Sequence, residues 1–182
     1  MIEVATPHGP ARVHLHELRT PRAAQAPRAG LVLGHGAGGG VGAADLVAAT
    51  EAALAAGCSV ALVEQPYRVA GRRSPAAAAQ LDTAWIAVVG HLRAGPLAGL
   101  PLVTGGRSSG ARVACRTAAA TGAAAVLCLA FPLVPPRRAS GTEPVSRLPE
   151  LELVPVPVLV VQGVRDPFGM PAAAPGRTVA AV

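Results

Sequence analysis

The sequence predicts an α/β fold: a three-layer, doubly wound and mostly parallel sheet with helices on both faces. Short apolar runs rich in Val and Leu alternate with longer Ala-rich runs along most of the chain, as strands alternate with helices. One such strand leads through a turn crowded with small residues into a helix, over Leu102–Ala114. The length of 182 residues suits one domain with a single core.

The first half of the chain begins with two short strands in residues 1–19, around a Pro/Gly turn. Residues 20–29 form a connector rich in Pro, Ala and Arg. An apolar strand over Gly30–Gly34 then leads to an alanine-rich helix over Ala43–Ala56 and a second apolar strand over Ser59–Glu64. These three elements form a strand–helix–strand unit.

The second half continues the alternation, with a strong helix over Pro75–Arg93. One face of this helix carries large apolar residues: Leu81, Trp85, Val88, Val89 and Leu92. Further predicted elements are strands over Leu100–Thr104, Ala124–Ala130 and Val156–Gln162, and a helix that ends near Ala120. The Pro/Arg-rich excursion Phe131–Pro155 is too short and too broken to form a helical lid.

The C-terminal residues predict no further regular element. Pro171, Pro175 and Gly176 argue against a terminal helix, and no clear final strand follows. We therefore expect a single domain over 1–170, lacking its last strand and helix, and an irregular tail over 171–182. Such a chain would leave Val156–Gln162 as a raw sheet edge, which invites self-association.

Composition narrows the classes of partner and compartment. The net charge is +6, but the arginines are scattered and aromatic residues make up only 2%, which argues against a nucleic-acid interface. We expect no membrane partner, because no apolar run approaches membrane-spanning length and the N-terminus has no apolar leader. Three widely spaced cysteines predict free thiols in a cytoplasmic protein, with no disulfide frame and no metal site.

The turn after the Leu100–Thr104 strand contains the pattern G-x-S-x-G, from Gly106 to Gly110. This pattern is typical of a nucleophile elbow, a strained strand-to-helix turn that lifts one serine, here Ser108, above a sheet. The start of the following helix directs backbone N–H groups toward developing negative charge. The alternative interpretation is an ordinary Gly/Ser loop.

A second glycine-rich turn, GHGAGGG over Gly34–Gly40, directly follows a strand. It satisfies G-x-G-x-x-G, and the next strand ends in Glu64, so a dinucleotide-binding unit is one interpretation. Its early His-Gly pair instead resembles the oxyanion loop of esterases, with the backbone N–H groups of Ala37 and Ser109 as donors. The dinucleotide interpretation explains neither the Ser108 turn nor the motif that comes next.

The third motif, Gly163–Pro167, places Asp166 after the Val156–Gln162 strand. Because the carboxyl ends of parallel strands share one edge of the sheet, Asp166 is expected on the same rim as Ser108. There it would orient a histidine, in the chain order Ser, acid, His. The alternative is a simple Asp-Pro turn.

The three motifs in this order, GHGAGG, GGRSSGARVA and QGVRDPFG, resemble the α/β-hydrolase superfamily over residues 28–170. They look most like its small, lidless dienelactone-hydrolase-like branch, which includes hydrolase-like domains of testis-expressed proteins and of a chromatin-complex regulatory subunit. The resemblance implies Ser108 as nucleophile, Asp166 as triad acid, and Ala37 and Ser109 as oxyanion donors. It also places Tyr67 and Arg68 in a loop at the mouth of the site, and with His35 these residues are the expected substrate contacts.

One departure from the family pattern bears on activity. The family's triad histidine follows the acid, whereas all five histidines of this chain precede Ser108, so the chain looks truncated before that residue. His35, beside the oxyanion loop, is the one plausible substitute, with a structural role as the alternative. The resemblance implies an esterase-like serine hydrolase for small acyl substrates, without cofactor and impaired. The alternatives are a non-catalytic relative that binds a partner and, third, a dinucleotide-binding domain.

Overall fold

The computed structural model describes residues 1–17, 26–135 and 144–182, and these residues contain one sheet of eight strands. The strand order is β1-β2-β4-β3-β5-β6-β7-β8, with β1 and β2 antiparallel to their neighbours and all other pairs parallel. The strands are β1 (Ile2–Val4), β2 (Ala11–His16), β3 (Gly30–Gly34), β4 (Ser59–Glu64), β5 (Leu102–Arg107), β6 (Ala125–Leu129), β7 (Val158–Gln162) and β8 (Arg177–Ala181). The predicted mostly parallel sheet is thus confirmed.

Helices connect the parallel strands on both faces of the sheet. They are α1 (Ala44–Ala55), α2 (Pro66–Val69), α3 (Ala78–Ala94), α4 (Ser109–Thr121) and α5 (Leu148–Glu152). The five apolar residues predicted for one face of α3 are all buried, and Trp85 among them has no exposed surface. In the Phe131–Pro155 excursion, residues 136–143 lie outside the described residues, as does the 18–25 part of the predicted connector. The described part of the excursion carries only the short helix α5.

The two faces of the sheet are covered to different extents. One face packs against α3, α4 and α5, whose apolar residues form two buried clusters with the strands. The other face packs against α1 through Leu46. Beyond α1 this second face is open, and a groove of about 480 Å³ lies there, lined by apolar residues that include Leu127 and Leu159.

The structure corrects the prediction for the C-terminal residues. Arg177–Ala181 is not irregular but forms β8, which pairs in parallel with β7 from Val158↔Arg177 to Gln162↔Ala181. The prolines and Gly176 that discouraged a regular element all precede this strand, and its small residues gave little apolar signal. The edge strands of the sheet are therefore β1 and β8, and β7 is paired on both sides. No helix among the described residues is long and apolar enough to cross a membrane.

Candidate active site

Ser108 lies between β5 and α4 with an unusual backbone conformation. Its φ is 52° and its ψ is −106°, a region that non-glycine residues rarely adopt and that costs about 1–3 kcal/mol. The Ser108 N–H donates to the carbonyl of Leu129 at the end of β6 over 2.9 Å, which helps to hold the turn in place. Residues with such strained backbone conformations are concentrated at functional sites, so Ser108 marks a candidate site.

The two glycines that flank Ser108 are required by close packing. A Cβ atom at Gly106 or at Gly110 would overlap the carbonyl oxygen of Gly34, at the end of β3. Only hydrogen at these positions lets the start of α4 sit directly against β3. The pattern G-x-S-x-G is therefore a packing requirement of this turn.

The glycine-rich loop after β3 lies next to the Ser108 turn. A Cβ atom at Gly36 would be 3.6 Å from Cβ of Ser108 and 3.1 Å from Nη1 of Arg107. Among the described residues, neither the Ala37 N–H nor the Ser109 N–H has a hydrogen-bond acceptor. The structure thus places the loop after β3 against the Ser108 turn, and the Ala37 and Ser109 N–H groups stay the predicted oxyanion donors.

His35 holds the glycine-rich loop after β3 in place and is buried, with 3% of its surface exposed. Its Nδ1–H donates to the carbonyl of Gly36 over 2.8 Å, and its Nε2 accepts the N–H of Gln65 over 3.1 Å. This pair of bonds requires the neutral ring, and burial lowers the pKa of His35 below 6.5, with the Arg68 charge acting in the same direction. Both ring nitrogens are occupied by these bonds, and substrate contact by His35 stays a prediction.

Tyr67 also supports the loop and is likewise buried. Its hydroxyl donates to the carbonyl of Ala37 over 2.9 Å, and its ring packs edge-on against His35 with centroids 5.7 Å apart. Burial raises the pKa of Tyr67. The segment predicted as a loop at the mouth is the short helix α2, which turns Tyr67 inward. Arg68, on the same helix, is partly exposed and stays a predicted substrate contact.

Asp166 lies four residues beyond β7, in a turn that its own side chain closes. Its Oδ1 accepts the N–H of Phe168 over 2.8 Å, and its carbonyl accepts the N–H of Gly169 over 3.1 Å. Because β5 and β7 flank β6 and run parallel, Ser108 and Asp166 follow the carboxyl ends of two strands that are separated by one strand. Asp166 as triad acid stays a prediction, in which it would act on the serine through a histidine.

Two polar contacts at this rim were missed at the sequence level. Gln162, at the end of β7, is fully buried; its amide donates to the carbonyls of Phe131 and Gly169 and accepts the N–H of Phe131. It fastens the turn that carries Asp166 to the end of β6. The sequence feature that could have indicated this role of Gln162 is its position as a single amide at the end of an apolar strand. Arg107 donates to Asp45 in the first turn of α1 over 2.8 Å, a pairing that sequence spacing did not reveal.

Two other histidines and the acid Glu64 have polar partners away from Ser108. His14 and Arg12, on β2, both contact the carboxylate of Glu64, so this acid, placed where a dinucleotide unit would need one, is already paired. His8 contacts the hydroxyl of Thr83. Across ranges 1–17, 26–135 and 144–182, no group of three His, Cys, Asp or Glu side chains is placed to hold a metal ion.

Comparison with known proteins agrees with this architecture. A family described as "Alpha/beta hydrolase domain" matches residues 27–179, so the chain belongs to the alpha/beta hydrolase family. No curated protein sequence matches the chain.

Solved structures with similar architecture include lidless serine hydrolases. XC6422 from Xanthomonas campestris, a serine hydrolase without a lid, has 21% identity and a TM-score of 0.73, covering 99% of this chain and 81% of that one. A serine hydrolase homologue from Coxiella burnetii has 14% identity and a TM-score of 0.72, covering 99% and 86%. A dienelactone hydrolase from Anabaena variabilis has 15% identity and a TM-score of 0.70, covering 100% and 83%. At these identities the likeness shows a shared fold.

Proposed function

We propose that this chain carries the site of an esterase-like serine hydrolase that acts on a small acyl substrate, with Ser108 as the nucleophile. The observation that carries the proposal is the strained conformation of Ser108, at φ 52°, near two N–H groups for which the described residues offer no acceptor. The hydroxyl would attack the carbonyl carbon of an ester, and the N–H groups of Ala37 and Ser109 would stabilise the oxyanion that forms. One such donor typically contributes about 3 kcal/mol to the transition state.

The proposed site lacks an identified general base for Ser108. Ser108 Oγ has no hydrogen-bond partner within the described part of the chain, both nitrogens of His35 are occupied, and no histidine follows Asp166 among the 182 residues. Without a group that takes its proton, the serine attacks slowly, and only a residual acceleration of about 10³–10⁴ over water is expected. We therefore propose that hydrolysis by this chain is impaired and that Asp166 is a triad acid without its partner.

We further propose a substrate that reaches the site from an open rim, because the described part of Phe131–Pro155 forms no helical lid. Arg68 is our candidate contact for such a substrate. The reaction as written, in which an acyl-serine forms and water then releases the acid, requires no cofactor. A cytoplasmic location is part of the proposal and fits the free thiols of Cys58, Cys115 and Cys128.

The test is labelling with a fluorophosphonate, which reacts with activated serines, followed by mass spectrometry of the labelled peptide. We expect slow labelling of Ser108 that disappears in Ser108→Ala and persists in Ser109→Ala, the matched control that keeps the backbone donor. Imidazole in solution can act as the general base that the site lacks. Added imidazole should therefore increase the labelling rate of the unmodified chain and leave Ser108→Ala unlabelled.

A folded chain that is not labelled, with or without imidazole, would contradict the catalytic proposal. It would favour the second candidate, a non-catalytic binding or interaction protein that keeps the fold. The observation in favour of this candidate is the engagement of both His35 nitrogens in the loop. A shift of the melting temperature by a nicotinamide dinucleotide would instead revive the dinucleotide interpretation of Gly34–Gly40.

A further inference from the structure

A small cavity lies beside the Ser108 turn and is lined by residues of β3, of the corner between β4 and α2, of α3 and of the first turns of α4. Its volume is about 10 Å³, which is close to the room that one water molecule needs. Gln65, Trp85 and Ser109 are among its lining residues. The mechanism proposed above uses neither Gln65 nor Trp85.

Two buried polar atoms belong to side chains that line this cavity, and both lack a protein partner within the described residues. They are Nε1 of Trp85, a donor, and Oε1 of Gln65, an acceptor. Trp85 has no exposed surface and Gln65 only 6%. Buried polar groups almost always have a partner, and here an unpartnered donor and an unpartnered acceptor belong to two side chains that line one cavity.

The orientation of the Gln65 amide is fixed independently of the cavity. Its Nε2 donates to the carbonyl of Leu81 over 3.2 Å, and a carbonyl accepts only from the NH₂ end of the amide. The oxygen is therefore the end without a partner. Oε1 of Gln65 needs a donor, and Nε1 of Trp85 needs an acceptor. A molecule that both donates and accepts a hydrogen bond could satisfy both atoms.

We propose that this cavity binds one ordered water molecule, which accepts the Nε1–H of Trp85 and donates to Oε1 of Gln65. The water joins α3 to the corner that supports His35, whose Nε2 accepts the Gln65 N–H. Ser109 lines the same cavity, so the water also lies against the first residue of the nucleophile helix. The site itself does not depend on whether the chain is a hydrolase.

The single tryptophan of the chain provides the probe. In a ¹⁵N-labelled sample Trp85 gives one indole N–H resonance, whose cross-peaks at the water frequency can be measured by NOE and ROE experiments. A long-lived bound water gives NOE and ROE peaks of opposite sign, whereas proton exchange with solvent gives peaks of the same sign. We expect opposite signs for Trp85 in the unmodified chain.

Gln65→Leu removes the acceptor and should abolish this cross-peak. Thr104→Val is the matched control, because Thr104 Oγ1 is also buried with no partner in the described part of the chain but does not line the cavity. The control should keep the peak.

Peaks of equal sign, no peak, or an unchanged peak in Gln65→Leu would overturn the proposal. If Gln65→Leu does not fold, a crystal structure of the unmodified chain decides. A water within hydrogen-bond distance of both Trp85 Nε1 and Gln65 Oε1 supports the proposal, and a direct Trp85–Gln65 hydrogen bond refutes it.

Discussion

The backbone N–H of Gln65 donates to Nε2 of His35 over 3.1 Å, across a separation of 30 residues. This bond joins the end of β4 to the loop that follows β3. It exists only while Nε2 is unprotonated, because a protonated nitrogen donates and cannot accept. The position of the loop beside Ser108 is thereby coupled to the protonation of one buried histidine.

We expect stability to fall in mildly acidic solution. The pKa of His35 is lowered in the folded chain, mainly by burial, so between its folded value and 6.5 the unfolded chain binds more protons. The contribution of neutral His35 to the free energy of unfolding is fully present above pH 6.5 and is lost as the pH falls below that value. Urea unfolding from pH 7.5 to 5.5 should show a smaller slope for His35→Gln. His91→Gln, at an exposed position on α3, should keep the original slope. Equal slopes in all three proteins would contradict this assignment.

A second prediction compares Gly110, in the Ser108 turn, with Gly39, in the glycine-rich loop after β3. A Cβ atom at Gly110 would overlap the Gly34 carbonyl, whereas a Cβ atom at Gly39 meets nothing within 4 Å. Gly110→Ala should therefore reduce the free energy of unfolding by about 1–3 kcal/mol or prevent folding, and Gly39→Ala should be close to neutral. Urea denaturation followed by circular dichroism measures both. A neutral Gly110→Ala would mean that α4 does not approach β3 this closely.

A third prediction concerns the hydroxyl of Tyr67. Tyr67→Phe removes the donor to the Ala37 carbonyl but keeps the ring that packs against His35. We expect a loss of about 0.5–1.5 kcal/mol in stability and slower labelling of Ser108, because the adjacent Ala37 N–H is less well fixed. Thermal unfolding and labelling rates measure the two effects. Unchanged labelling would show that the loop does not depend on this bond.

The fold and the site differ in how far the sequence could predict them. The strand–helix alternation and the turns at Gly34 and Ser108 rest on local spacing, which the sequence contains directly. The strand Arg177–Ala181 was missed because its residues are small and its stability comes from pairing with β7. The roles of His35 and Tyr67 depend on contacts between segments 30 residues apart, and a single sequence does not record such contacts.

The cysteines should differ sharply in reactivity. The Sγ atoms of Cys115 and Cys128 are 3.5 Å apart in the core between α4 and β6, whereas Cys58 is partly exposed. The hydrogen bond from Cys115 and burial raise the pKa of Cys128 well above its usual value, so its reactive thiolate is scarce at neutral pH.

Iodoacetamide should therefore modify Cys58 first, and the other two cysteines only when the chain is unfolded. Mass spectrometry of the peptides measures the order. Cys58→Ser is the control and should leave a folded chain that resists the reagent. Rapid modification of Cys115 or Cys128 in the folded chain would contradict the packing of α4 on β6.

The last prediction concerns self-association, which the sequence led us to expect from an exposed edge at Val156–Gln162. Because β8 covers that edge, we now propose the open apolar face beside α1 as its cause. Leu159 lines the groove on this face and is 41% exposed. Burying such a residue against another molecule contributes about 1.5–3 kcal/mol when burial is complete. Leu159→Thr should thus weaken association, and threonine, being β-branched, suits a strand position in β7.

Sedimentation velocity over a range of concentrations measures this effect. Val164→Thr is the matched control, because Val164 is 67% exposed but lies outside the groove, and it should associate like the unmodified chain. Equal weakening by both substitutions would assign association to general hydrophobicity. An unmodified chain that stays monomeric at all concentrations would show that the groove is too small or too concave to bind a second copy. The open face lies at the amino ends of β3, β6 and β7, away from Ser108 at the carboxyl rim, so Leu159→Thr should leave labelling of Ser108 unchanged.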